Sequence, residues 1–256
     1  MIGCGNMGGA MATKWRALAD LEVTVIDPLA TPPPGVELYR SRSELGDQEF
    51  DVLVIAIKPQ LVIEVAPDYA DVIADGGFVL SIAAGFRIEA LSSIFLEVPT
   101  IRIMPNLPAL IGRSVTGLFA ADEATKAHRD QAHRLASAIG AAIWLEDEDG
   151  IDRLTAVAGS GPGYVFEFLR NYVDATVALG FSYEQARDIV FETVRGTTQM
   201  AAESSKSLAA LRDSVTSKNG TTEAGLNILR RDDVMQERMN ETIAAAYARA
   251  IELRSL

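Results

Sequence analysis

The rhythm of apolar and polar positions changes near the middle of the chain. Up to about residue 148, short apolar runs alternate with helically spaced segments. Residues 21–26 form a β-rich run that ends at Asp27-Pro28, and the prolines of 32–34 with Gly35 predict a stiff surface turn. Residues 52–57 are continuously apolar, as in a strand buried on both faces, and Lys58-Pro59 stops them. Leu61, Val65, Tyr69, Val72 and Ile73 fall at helical spacing and predict a helix over 60–74. Residues 78–83 read as the next strand, closed by Ala84-Gly85. A short helix at 89–95 leads to a strand at 100–104, halted by Pro105. A strand at 115–119, a helix at 123–139 and a strand at 142–145 complete this half. Such alternation predicts an α/β fold with a doubly wound, mostly parallel sheet.

After the acidic stretch 146–149 no strand-like run appears. Pro162 suits a first helical turn, Gly180 suits a helix stop, and Ser182 with Gln185 makes a capping-box pattern. Met239, Ile243, Tyr247 and Ile251 recur every four residues in the last helix. The expected division is an α/β domain over 1–148 and an all-α domain over 149–256. The stripes Val165, Phe168, Leu169, Tyr172 and Val173, with Met239, Ile243 and Tyr247, carry more apolar surface than roughly a hundred residues can bury alone. A homodimer or a ring of dimers through the helical half is therefore expected.

Charge narrows the partners. The 256 residues hold 23 Lys+Arg against 35 Asp+Glu, a formal net charge of -12. That balance excludes nucleic acid and anionic membrane surfaces, which need basic patches. One cysteine, Cys4, leaves no disulfide within the chain and no multi-cysteine zinc site. No apolar run reaches about 18 residues and no signal-peptide pattern is present, so a soluble cytoplasmic protein is expected.

Gly3-Cys4-Gly5-Asn6-Met7-Gly8 is a GxGxxG. Its physics needs a strand, a tight turn and a helix whose N-terminus faces a pyrophosphate. Only Met1 and Ile2 precede it, where a central strand usually has about five residues, so the expectation is that upstream residues are missing. Asp27, 19 positions after Gly8, ends the next strand, where a carboxylate accepts hydrogen bonds from an adenosine ribose. The bland alternative makes Asp27 only the turn residue before Pro28. Lys58-Pro59-Gln60, Ala83-Ala84-Gly85 and Met104-Pro105-Asn106 stand at strand exits, the ligand side of an open α/β sheet.

The acid–base inventory is sparse. His128 and His133 lie five apart on a polar helix and read as solvated, and neither a metal site nor a catalytic triad can be assembled. In the helical half, residues 159–163 and 216–223 each read as a small, polar loop feeding a helix N-terminus. Free N–H groups and the helix dipole there can cradle a small carboxylate; simple N-capping is the alternative.

These pieces occur together in one family. The chain resembles the pyrroline-5-carboxylate reductases through IGCGNMG at 2–8, AIKPQ at 56–60, SIAAG at 81–85, RIMPNLPA at 102–109, LTAVAGSGPGYVF at 154–166 and DSVTSKNGTTEAGL at 213–226. The resemblance implies a Rossmann-type domain, a helical dimerisation domain, and reduction of a cyclic imine to L-proline with NADPH or NADH, the last step of proline biosynthesis. It implies cofactor contacts from Gly3, Cys4, Gly5, Asn6, Met7, Gly8, Asp27, Ala56, Lys58, Pro59, Ala83, Ala84 and Gly85. It implies a substrate loop of Ser217, Gly220, Thr221 and Thr222, with the Thr222 hydroxyl on the imine nitrogen as the catalytic contact. The family's Pro-Gly after the loop serine is Lys218-Asn219 here, and Leu107 replaces its usual threonine. Asp27, with no arginine at 28–31, leans toward NADH or dual use, while Arg40 and Arg42 keep NADPH open. A hydroxyacid or other imine dehydrogenase of the same plan is the alternative enzyme. The stretch with Tyr164, Phe166 and Glu167 lacks the lysine a hydroxyacid enzyme needs. A non-catalytic dinucleotide sensor would not need the hydroxyl-rich loop.

Overall fold

The computed structural model describes residues 1–255. Helix α1 (Asn6–Trp15) follows the glycine loop and is succeeded by strands β1 (Thr24–Ile26), β2 (Glu37–Tyr39) and β3 (Phe50–Ile55). Then come α2 (Pro59–Val65), β4 (Ile73–Ser81), α3 (Ile88–Ile94), β5 (Thr100–Met104), β6 (Ser114–Ala120), α4 (Lys126–Ser137) and β7 (Gly140–Trp144). Helices fill the rest: α5 (Asp149–Leu154), α6 (Gly161–Ala178), α7 (Tyr183–Glu203), α8 (Leu208–Ser214), α9 (Thr221–Leu229) and α10 (Val234–Glu252). None of the helices among the described residues is long and apolar enough to cross a membrane.

Two compact units result, Met1–Pro162 with Ala244–Leu256, and Gly163–Ile243. These limits differ from a single division at 148, because α5 packs on β5 and β6, with Leu154 against Gly117, and the end of α10 returns to the first unit.

In the first unit β1 pairs with β2, and β3 to β7 form a five-stranded sheet in that order. Ile2 joins the two, forming parallel bridges to Ile26 and to Ile55. Its N–H donates to the Val54 carbonyl at 2.8 Å and its carbonyl accepts from Ala56 N at 2.8 Å. All pairs are parallel except β5 with β6. The link between those two strands is too short for a crossover helix, so the chain turns back antiparallel. Asn106, 8% exposed, pins the turn, accepting from Ser114 Oγ and Val115 N and donating to the Ala158 carbonyl.

The expected helix over 60–74 is shorter. Pro67 cannot donate to an α-helical ladder, so Ala66–Val72 tightens into a 3-10 segment and β4 starts at Ile73. Strand β2, three residues long, offered no periodicity to detect. The core packs on both faces of the sheet, with Met11, Trp15, Phe78, Leu80 and Leu135 on one side and Leu53, Ile55, Val62, Val79 and Leu91 on the other. Trp15 Nε1 donates to the Leu135 carbonyl at 2.8 Å, tying α1 to α4.

The second unit has the expected caps. Ser182 and Gln185 form a reciprocal capping box at the start of α7, and Gly180 after α6 takes φ 99°. Its buried centre is small: Val173, Ala186 and Val190, with Leu169 and Val194 against them.

Candidate functional site

The glycine loop is shaped by close approach. Gly3 has φ 90°, and a Cβ there would stand 2.6 Å from the Ala56 carbonyl oxygen. A Cβ on Gly8 would stand 2.6 Å from the Gly3 carbonyl oxygen and 3.4 Å from the Ala56 Cβ. Helix α1 can therefore rest against the end of β3 only because both positions lack side chains. Gly5 faces open space and is the N-cap of α1, with no side chain capping the helix. Helix geometry leaves the first-turn N–H groups of Asn6 and Met7 without intrahelical acceptors, a donor set that fits a pyrophosphate.

Asp27 sits beside this loop, and its carboxylate is largely occupied. Oδ2 accepts from Cys4 N at 2.8 Å, and Oδ1 accepts from Leu29 N at 2.9 Å and Ala30 N at 2.8 Å. Burial pushes its acid upward, but these three donors and the neighbouring Arg40 outweigh it, leaving Asp27 below the usual carboxylate range. A carboxylate offers about four acceptor positions, so Asp27 has room for one ribose hydroxyl rather than two. Burial, then the Asp27 charge, pushes the Cys4 thiol up, so it is an inert packing thiol. Arg40 folds back over the same turn, its Nη1 donating to the carbonyls of Asp27 at 3.2 Å and Ala30 at 2.8 Å. Arg42 instead pairs with Asp71 at 2.8 Å.

The other strand ends adjoin. Ala56 follows β3, exposed Lys58 is the N-cap of α2 and Pro59 its first residue. Ile82 N donates to the Ile55 carbonyl at 3.1 Å, which sets Ala83, Ala84 and Gly85 beside the end of β3. Ala83 is buried, and Gly85, at φ 75°, packs against Leu253.

Ser217, Gly220, Thr221 and Thr222 lie together in the second unit. Asn219 takes φ 60°, the left-handed turn that its short polar side chain tolerates, and its N–H donates to Glu223 Oε2 at 2.7 Å. Gly220 N donates to the Ser217 carbonyl at 3.0 Å, and Ser217 Oγ fills the space a side chain at 220 would take. Gly220 is the N-cap of α9 with no side-chain cap, and Thr221 and Thr222 are exposed. The turn survives Lys218-Asn219 because the residue at 219 supplies the positive φ. Its open amides and hydroxyls can hold a carboxylate.

Two expectations change. Residues 159–163 are not an open loop: Thr155–Gly159 is a π-helical turn, Ser160 N donates to the Thr155 carbonyl, and α6 starts at Gly161. His133 is exposed, but His128 is half-buried. It shares a capping box with Thr125, reaches the Gly76 carbonyl at 2.9 Å and stacks on Phe78.

The sequence reading did not single out Glu148. It accepts from Arg102 Nη1 at 2.8 Å, Arg87 Nε at 2.8 Å and Ile88 N at 2.7 Å. Arg102, in the apolar strand β5, is 1% exposed. An arginine inside such a strand requires a buried anion, and that was the available signal. Burial acts to raise the Glu148 acid, yet its three donors hold it below the usual range.

Residues 148–253 match the pyrroline-5-carboxylate reductase dimerisation family. A pyrroline-5-carboxylate reductase of Pseudomonas aeruginosa is 34% identical over 261 residues, covering 98% of this chain and 95% of its own. The Bacillus subtilis pyrroline-5-carboxylate reductase 2 is 34% identical over 223 residues, covering 85% and 79%. A solved pyrroline-5-carboxylate reductase from Coxiella burnetii superposes with TM-score 0.89 at 29% identity, covering 98% of this chain and 96% of that one. By sequence and fold alike, the chain belongs to the pyrroline-5-carboxylate reductase family of oxidoreductases.

Proposed function

We propose that this chain reduces 1-pyrroline-5-carboxylate to L-proline with NAD(P)H, as a soluble cytoplasmic homo-oligomer, a dimer or a ring of dimers. The observation that carries the reading is the uncapped N-terminus of α9. Its amides and the hydroxyls of Ser217, Thr221 and Thr222 form a carboxylate cradle, and the Glu223 carboxylate takes only the Asn219 N–H at its edge. The helical unit then serves substrate binding and association, and the first unit serves the dinucleotide.

In this mechanism Gly5, Asn6, Met7 and Gly8 bind the pyrophosphate through backbone N–H groups. Gly3 and Gly8 let helix and strand approach, and Asp27 pins the loop through Cys4 N. Ala56, Lys58 and Pro59, with Ala83, Ala84 and Gly85, line the dinucleotide at the strand ends. The bound dinucleotide supplies a hydride from its nicotinamide C4 to the imine carbon. Ser217, Gly220 and Thr221 hold the substrate carboxylate, and the Thr222 hydroxyl hydrogen-bonds the imine nitrogen and steadies the developing amine. No strong side-chain acid is required, because the protonated imine is already electrophilic and positioning lowers most of the barrier.

The Arg40 guanidinium over the turn supports a 2′-phosphate, whereas the ionised Asp27 carboxylate, with one acceptor position left, supports an unphosphorylated ribose, so the site suits either NADPH or NADH. The test is steady-state oxidation of each reduced dinucleotide with the imine. Consumption of at least one is expected, and consumption of neither overturns the reading.

A further inference from the structure

The chain's end belongs to the first unit although the residues before it belong to the second. One uninterrupted helix, α10, makes the passage. Beyond it, the backbone of Leu253 lies against the loop that closes β4. A Cβ on Gly85 would stand 2.5 Å from the Leu253 carbonyl oxygen and 3.0 Å from the Leu253 Cβ. Leu253 thus occupies the space that a side chain at 85 would need.

The next residue anchors this contact. Arg254 pairs with Asp149 and, at 2.7 Å, with Asp152, which is 2% exposed. Tyr247 Oη reaches both carboxylate oxygens of Asp149, at 3.0 and 2.8 Å. One residue earlier, Glu148 holds Arg87 and Ile88, the other end of the same loop, and buried Arg102 beneath it. The start of α5 is therefore a carboxylate hub. Glu148 fixes the loop at 87–88, Asp149 and Asp152 fix the tail, and the tail fixes Gly85.

We propose that the C-terminal tail braces the dinucleotide loop Ala83-Ala84-Gly85, with Arg254 as a positioning residue for dinucleotide binding. The inference rests on the reading of that loop as a cofactor contact. Arg254 acts through Leu253 and touches no reacting atom. Its physical basis is pre-organisation: a loop at a strand end binds well only when held within a fraction of an ångström, and shielded, multiply bonded ion pairs supply that rigidity. Because α10 also begins five residues after α9 ends, the brace is covalently tied to the unit that carries the substrate loop.

The experiment is calorimetric titration of the full-length protein with NADP+ and NAD+, alongside steady-state kinetics. Arg254→Ala is expected to weaken the better-bound dinucleotide about tenfold and to leave the KM for the imine within about twofold. Arg254→Lys recovers part of the affinity, since one ammonium cannot span two carboxylates as a guanidinium does. Gly85→Ala, which strains the loop at φ 75° and presses on the Leu253 backbone, gives a similar loss. The double variant is then no worse than the weaker single one, the signature of one shared element. Arg249→Ala, on an exposed face beside Glu252, changes neither affinity. If Arg254→Ala lowers the melting temperature but keeps dinucleotide affinity, the tail is scaffold only and the proposal falls. Should Arg254→Ala fail to fold, Arg254→Lys decides by the same affinities. Wild-type protein that binds neither dinucleotide overturns both the brace and the cofactor reading, whereas binding that is indifferent to these variants overturns the brace alone.

Discussion

The two units use their apolar and charged residues in opposite ways. The first surrounds its sheet with buried side chains on both faces, and even its arginine at 102 is enclosed and paired. The second keeps Phe166, Phe168, Tyr172, Phe181, Ile189 and Phe191 at 37% exposure or more around a centre of three buried residues. Its ion pairs, such as Glu167 with Arg170, lie on the surface. An apolar surface of that size on separated helix faces is unfavourable in water, by about 25 cal/mol per Å². The contrast teaches that the α/β unit is complete in its own packing, while the helical unit calls for a second copy of the chain.

The largest effect that would test this contrast is on buried charge. Glu148→Gln leaves Arg102 enclosed without its anion and is expected to destabilise folding by about 3–5 kcal/mol, read by denaturant unfolding. Glu167→Gln, its counterpart on the exposed helix, is expected to leave the melting temperature unchanged. The pH dependence follows. Glu148 titrates below its unfolded value, so its contribution is complete above the ordinary glutamate pKa of about 4.3 and is lost as pH falls through the lower folded value. The Gln variant should show a flatter acid limb; an identical limb would remove Glu148 from the balance.

Next in size is association. Phe168→Asp puts a charge on the exposed face of α6 and is expected to weaken self-association by at least about 2 kcal/mol, roughly thirtyfold. Light scattering at micromolar concentration should show the mass falling toward that of one chain. An unchanged mass would break the comparison, because α6 would then lie outside the interface.

Smaller effects sharpen it at the level of chemistry. Thr222→Ala should lower turnover roughly 5- to 150-fold, the worth of one hydrogen bond to the developing amine, with dinucleotide affinity unchanged. Equal turnover would remove Thr222 from the mechanism. Ser217→Ala should raise the KM for the imine and spare kcat, as expected of uniform carboxylate binding. Smallest is Arg40→Ala, with about a tenfold loss of NADP+ affinity and none for NAD+ in paired titrations. Equal losses would make Arg40 only a brace for the turn at 27–30.

Much was readable along the chain because it is local. The alternation of apolar runs and helical spacing, the capping box at Ser182 and Gln185, the glycines at 3 and 8 and the positive φ at Asn219 depend on a few neighbouring residues, and sequence alone determined them. Other features depend on which distant segments meet. The short β2 became a strand by pairing with β1, and Pro67 set where α2 gives way. Asp27 gave three of its acceptor positions to Cys4, Leu29 and Ala30, and Arg40 rather than Arg42 came to lie over the turn. The acidic run 146–149, in sequence a plain domain boundary, became the anchor for Arg87, Arg102 and Arg254. Tertiary structure alone decided these, because a carboxylate's partners are chosen by burial and by the fold's long-range contacts rather than by the residues beside it.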